Sequence, residues 1–242
     1  MRNSKHAIHT CIENTPRIEL EEISSVRRDD VVKRLINDNN IGIELGVAEG
    51  VYAKRIIDSG KFSMLYGVDK YGGTKSHGTE EYKTALTRIG ISDNRYTLLR
   101  MSFEEALGLF EDNYFDYIYV DGFAHTGQEG GKTLIDWYPK LKPGGLMAGD
   151  DYHEDWPLVR WAVNDFVNKL GVKLMVSGSE PGVKWCEYPT WFIEKPSNGI
   201  LPSVNATLFE LGQHEKIRDS KDKGKSALIT RGIKAILSRF KK

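Results

Sequence analysis

Short apolar runs of about six residues alternate along this chain with longer segments whose apolar positions recur at helical spacing. Ile41–Val47, Met64–Asp69, Tyr96–Met101, Tyr114–Asp121 and Gly144–Asp151 have the length and aliphatic or aromatic content of buried strands. Between them, Gly50–Gly60, Glu80–Gly90, Phe103–Glu111 and Glu129–Leu141 have helical spacing, the first two closing on glycine. A long helix is expected over Pro157–Gly171, with Asp155 as its cap. Val172–Ser177 and Thr190–Lys195 follow with no helical pattern between them and can pair antiparallel. Upstream, Ile23–Asp38 shows helical spacing through Val26, Val32, Leu35 and Ile36. Strand–helix alternation predicts an α/β fold, a doubly wound and mostly parallel sheet covered on both faces.

The turn after the first of these strands, Glu44-Leu45-Gly46-Val47-Ala48-Glu49-Gly50, narrows the ligand. Open sheets bind ligands outside the carboxyl ends of their strands, where strand order reverses. Glycine there permits a tight turn and close approach, or simply close packing of a helix on the sheet. The spacing is E-x-G-x-x-x-G rather than the G-x-G-x-x-G that cradles a pyrophosphate, and Glu49 adds an anion that a pyrophosphate would not tolerate. Asp69 ends the next strand, where a carboxylate can accept both hydroxyls of a ribose. A nucleoside with a cationic or zwitterionic group fits this pattern better than a dinucleotide.

The ordered set "IELGVAEG", "GVDKY", "YIYVDGFAHT" and "LKPGGLMAGDDYH" resembles the successive motifs of class I S-adenosylmethionine-dependent methyltransferases, over about residues 38–195. The resemblance implies a Rossmann-like sheet of seven strands, the last inserted antiparallel beside the fifth. It also implies that Glu44, Gly46 and Gly50 border the methionine part of the donor, Asp69 the ribose, and Ser102 and Phe103 the adenine.

Asp121, Asp150 and Asp151 lie at two further strand ends. Three carboxylates at one edge repel unless a cation neutralises them, and oxygen ligands of this kind suit a divalent metal, Mg2+ first. Such an ion would lower the pKa of an acceptor hydroxyl and fix its oxygen in line with the methyl group. A base must then take the proton, and Asp121, His125 and His153 are the candidate catalytic residues. One carboxylate could instead hold the donor's amine, and either histidine could be merely solvated. The arrangement is similar to the metal-dependent sugar O-methyltransferases of macrolide deoxysugars and bacterial surface glycans. Their usual D-G-x-H is one residue shorter than Asp121-Gly122-Phe123-Ala124-His125. A small-molecule or glycan acceptor is therefore expected, in polysaccharide biosynthesis for the second group. Catechol-type enzymes share the acidic triad, and a non-catalytic donor-binding or assembly subunit is the alternative outside enzymology.

Composition separates the tail from this body. The chain has 242 residues and no net charge, but residues 221–242 carry eight Lys/Arg against one Asp, leaving the rest at −7. The body therefore lacks the basic footprint of nucleic-acid binding. Residues 1–37 are expected as an N-terminal helical segment, 38–195 as the methyltransferase domain, 196–224 as a linker and 225–242 as a basic amphipathic helix. In that helix Ile229, Ile233, Ile236, Leu237 and Phe240 share a face. Such a helix can lie on an anionic membrane, dock on a partner, or pack on its own domain or on a second copy in a homo-oligomer. The opening residues show no signal-like apolar run, no stretch is long enough to span a bilayer, and Cys11 and Cys186 are too few for a framework. A reduced cytoplasmic protein is the expectation, with the tail as a route to the inner membrane face.

Overall fold

The computed structural model describes residues 3–73 and 77–221, so the expected basic helix at 225–242 lies outside the described residues. Eight strands form one sheet: β1 (Leu20–Ile23), β2 (Asn40–Leu45), β3 (Phe62–Val68), β4 (Tyr96–Leu99), β5 (Phe115–Val120), β6 (Leu141–Gly149), β7 (Leu174–Ser177) and β8 (Trp191–Glu194). Their order is β1-β7-β8-β6-β5-β2-β3-β4, all neighbours parallel except β8, which is antiparallel to β6 and β7. The α/β expectation holds, including the reversed last strand beside β6. The sheet has one strand more than expected, because Leu20–Ile23 pairs with β7 along the edge. Its "LEEI" alternation is too short and polar to announce a strand.

Both faces of the central strands are dry. One core joins Ile43, Leu45, Ile118, Val120 and Met147 to α1 (Lys5–Asn14) and the later helices; the other joins Tyr117, Tyr119, Leu146 and Ala148 to residues on the opposite face. On that second face α2 (Val51–Asp58) turns Tyr52, Ala53, Ile56 and Ile57 inward, a one-sided spacing that makes an otherwise polar segment a helix. α3 (Thr79–Ala85) and α4 (Phe103–Leu107) follow β3 and β4, and α5 (Lys132–Trp137) follows β5. α6 (Pro157–Leu170) ends at left-handed Gly171, whose amide bonds to the Val167 and Asn168 carbonyls.

Three expectations change. The helix expected over Ile23–Asp38 is a 3-10 segment confined to Arg28–Arg34, which buries Val31 and Val32. Asp155 does not cap α6; Trp156 holds that position and makes no side-chain cap bond. The expected linker contains α7, residues 206–221, which buries Leu208 and Leu211 in the first core.

β2 is where strand order reverses: β3 and β4 lie on one side of it and β5 on the other. The turns leaving β2 and β5 therefore flank the crevice in which such sheets bind ligands. The turn after β5 has an unusual backbone. Gly127, Gln128, Glu129, Gly130 and Gly131 all have positive φ (61°, 58°, 57°, 67° and 81°), which makes a left-handed helical turn. For the two non-glycine residues this costs roughly 1–2 kcal/mol each. α7 packs directly on it: a Cβ on Gly130 would lie 2.4 Å from Phe209 Cα, and one on Gly212 2.8 Å from the Gly130 nitrogen.

Candidate active site

Glu44 is the penultimate residue of β2, in register with Gly67 on β3 and Tyr119 on β5. It is 1% exposed, and its Oε2 has no hydrogen-bond partner. Burial first, and then the charge of Asp121, push its carboxyl well above the usual carboxylate range against the pull of Arg28. Gly46 follows with φ 100°, and a Cβ there would fall 1.8 Å from the Asp121 carbonyl oxygen. The turn is thus tight because two strand-end turns touch at the switch point. Gly50, at φ 73°, is the residue before α2.

Asp69, one residue beyond β3, faces the same turn. Its Oδ2 accepts from the amides of Val47 (3.2 Å) and Ala48 (3.0 Å), and its Oδ1 from the Tyr71 amide (3.0 Å). The carboxylate organises the backbone of the glycine turn and keeps lone pairs for a ligand. Ser102 caps α4 in a reciprocal capping box with Glu105. Phe103 lies against Gly122, where a Cβ would meet its ring at 2.9 Å, and against the Phe123 ring at 5.2 Å. It therefore belongs to the same crevice edge.

Asp121, Asp150 and Asp151 converge as expected, but the cation among them is a side chain. Arg28 Nη1 donates to Asp150 Oδ2 at 2.6 Å and Nη2 donates to Asp121 Oδ2. The same Nη1 reaches the Trp185 carbonyl at 3.3 Å. The guanidinium lies 4.5 Å and 4.9 Å from the ring centroids of Tyr52 and Tyr119. The cation that the acidic cluster calls for is thus Arg28, not a metal ion. Arg28 stands in the charged run Arg27-Arg28-Asp29-Asp30, where only the fold distinguishes it from Arg27.

Mg2+ at these aspartates is not supported. The guanidinium occupies an oxygen of two of the three expected ligands, and among the described residues no group of three or more His, Cys, Asp or Glu is placed to hold a metal ion. Asp151 has φ 63°, outside the bridge that Arg28 makes between the other two carboxylates. Burial, followed by the charges of Asp150 and Asp121, pushes its carboxyl up to about 8.

The two histidines lie on one wall of rings. The tilted rings of His125 and Trp156 lie 5.5 Å apart, Trp156 meets Tyr188 at 6.0 Å, and Tyr188 meets His153 at 5.1 Å. His125 sits in a 3-10 turn (Ala124–Thr126) entered through left-handed Phe123, which accommodates the additional residue between Asp121 and the histidine. His153 Nδ1 accepts from the Asp155 amide at 3.2 Å, so in the neutral ring the proton is on Nε2. His153 also lines a cavity of about 380 Å³ together with Glu22, Ser24, Arg160, Ser177 and Ser179. Ser24 follows β1, Ser177 ends β7 and His153 follows β6, so this cavity opens at the carboxyl edge of the sheet. The loop 178–190, between β7 and β8, covers this edge with Trp185 and Tyr188.

Residues 41–152 match the family model described as a methyltransferase domain. No curated protein matches the chain. Among solved structures, spermidine synthase from Thermotoga maritima is 14% identical over 77% of this chain and 71% of its own, with a TM-score of 0.51. A Corynebacterium glutamicum protein is 11% identical over 80% and 91%, with a TM-score of 0.50. An rRNA methylase from Streptococcus thermophilus is 16% identical over 70% and 94%, at 0.49. No helix among the described residues is long and apolar enough to cross a membrane.

Proposed function

We propose that this chain, whose residues 41–152 match a methyltransferase-domain model, is an S-adenosylmethionine-dependent enzyme that methylates an oxygen, a sugar hydroxyl of a glycan or glycosylated metabolite. The observation that carries this reading is the crowd of carboxylates at the switch point: Glu44, Asp69, Asp121, Asp150 and Asp151 against the one guanidinium of Arg28. Such a site is short of positive charge. A donor with a sulfonium and an ammonium group supplies what is missing, whereas a pyrophosphate would be repelled. The orphaned Glu44 Oε2 fits this donor's cationic end.

In this reading Glu44, Gly46 and Gly50 shape the methionine part of the donor pocket, and Asp69 receives the ribose while holding the turn. Phe103 borders the adenine, and Ser102 fixes the helix start that presents it. When bound, the donor supplies an activated methyl group, which leaves the acceptor as the partner in need of help. His125 is the assigned base. It lies in the turn that leaves β5 and begins with Asp121, while the His153 acceptor nitrogen is engaged by the Asp155 amide. The hydroxyls and charged groups around the cavity beside His153 suit a polyhydroxylated acceptor. A flat phenol is the second reading, favoured by the ring wall of His125, Trp156 and Tyr188.

Calorimetric titration with S-adenosylmethionine, followed by a screen of sugar and phenol acceptors, tests the proposal. Saturable donor binding and methylation of a sugar hydroxyl are expected, with His125→Gln losing turnover and keeping donor affinity. Absence of heat at millimolar donor would overturn it.

A further inference from the structure

We infer that Arg28 holds the place at the strand-end aspartates that a divalent cation would otherwise take, and positions Asp121 and Asp150 for methyl transfer without a metal. The inference rests on the reading that these aspartates border the transfer site. Three observations carry it.

The first is where the guanidinium lies. Its two terminal nitrogens reach Oδ2 of Asp150 and Oδ2 of Asp121, so one planar fork bridges residues from the ends of two adjacent strands. A magnesium ion shared by these carboxylates would need their oxygens at about 2.0–2.1 Å. With one oxygen of each carboxylate bonded to the guanidinium, an ion shared by both would have to displace Arg28 or bind beside its fixed positive charge.

The second is how firmly the side chain is held. Arg28 is 6% exposed, lies over the faces of Tyr52 and Tyr119, and bonds to the Trp185 carbonyl. The Tyr52 and Tyr117 hydroxyls are hydrogen-bonded at 2.7 Å, and Tyr119 bonds to Thr190 at 3.1 Å, which fixes the tyrosines beneath it. The backbone that delivers it is anchored as well. Neighbouring Asp29 is paired with Arg55 of α2 at 2.7 Å, and Val31 and Val32 are fully buried. A surface arginine that happened to swing inward would show none of this.

The third is chemical. Arginine stays protonated throughout the working pH range and presents a rigid fork matched to two carboxylates, so the neutralising charge is permanent. A metal ion would be open to chelation and exchange. Arg28 acts through Asp121 and Asp150, and is a positioning residue.

Manganese paramagnetic resonance on the full chain, after chelator treatment and dialysis, provides the test. The wild-type protein should leave the signal of free Mn2+ undiminished at millimolar ion, and donor binding by calorimetry should be the same with and without chelator. Arg28→Ala exposes the bridged oxygens and should gain Mn2+ binding, seen as loss of free signal and as a rise in Tm on adding the ion. Its lost transfer activity should return with added methylguanidinium. Stoichiometric Mn2+ binding by the wild type, abolished in Asp150→Asn, would overturn the inference, as would a folded Arg28→Ala that takes up no Mn2+. If Arg28→Ala fails to fold, the wild-type titration decides alone. Failure to bind donor would sink the proposed function and leave the manganese result standing, so the two failures are distinguishable.

Discussion

Gly46 and Glu44 stand two residues apart and are constrained by different forces. At Gly46 the constraint is steric and internal. The sequence suggested that a side chain there would intrude on a ligand; in the structure it would strike the Asp121 carbonyl first. Gly46→Val therefore combines a positive φ with a backbone clash, and should cost on the order of 3 kcal/mol in chemical denaturation, with donor binding lost even where folding persists. At Glu44 the constraint is electrostatic. Its carboxyl is held well above the usual range by burial and by Asp121. A cationic ligand arriving beside it favours the ionised form, so binding should release protons and donor affinity should rise with pH. Calorimetry in two buffers of different ionisation enthalpy should show unequal heats, and Glu44→Gln should remove the difference. Equal heats for the wild type would count against Glu44 as the donor's counter-charge. The carboxylates were legible in the sequence because strand ends are legible. Arg28 was not, because a residue that crosses to the site from a 3-10 segment has no periodicity to betray it.

The element that sequence pattern described least well is the turn over Gly127–Gly131. "EGGKTLIDW" was expected to begin a helix at Glu129, and α5 begins only at Lys132. Gln128 and Glu129 are ordinary helix formers, so the only local signal of a left-handed turn is the glycines at 127, 130 and 131, which serve a helix start equally well. What stabilises it is α7, which presses Gly212 and Phe209 onto Gly130. That helix was itself expected to be linker, because the pattern in 196–224 is weak and tertiary contact decides it. Gly212→Ala isolates this contact. Propensity alone would favour alanine by roughly 1 kcal/mol, yet the added methyl meets the Gly130 nitrogen and the Thr126 carbonyl. A net loss of about 1 kcal/mol or more is expected in urea unfolding. Because the turn follows directly on the His125 segment, turnover should fall more than donor affinity. A stabilised Gly212→Ala would show that α7 does not clamp the turn.

For the molecule as a whole, the alternation of strands and helices was legible from Ile41 to Lys195, where long buried runs leave few alternatives. The boundary at residue 37 was not. β1 completes the sheet edge, and the segment behind it supplies Arg28, so the N-terminal residues belong to the sheet domain in both structure and charge. One reversed strand has a wider consequence. Had β8 run parallel to β7, the chain would have had to cross to the far edge of the sheet before re-entering it. Running antiparallel, β8 starts at the edge where β7 stops, and the loop between them stays at that carboxyl edge, with Trp185 at Arg28 and Tyr188 at His153. Residues 178–190 therefore form a canopy attached at both ends to rigid strands, and none of its residues belongs to the turns around Gly46 and Asp69. Replacing 179–184, short of Trp185 and Tyr188, with a glycine–serine segment should alter the acceptor KM while donor affinity by calorimetry stays unchanged; a matching loss of donor affinity would contradict this division. On the proposed function, a fold arranged this way changes its acceptor by drift in one loop and keeps its methyl donor through every such change.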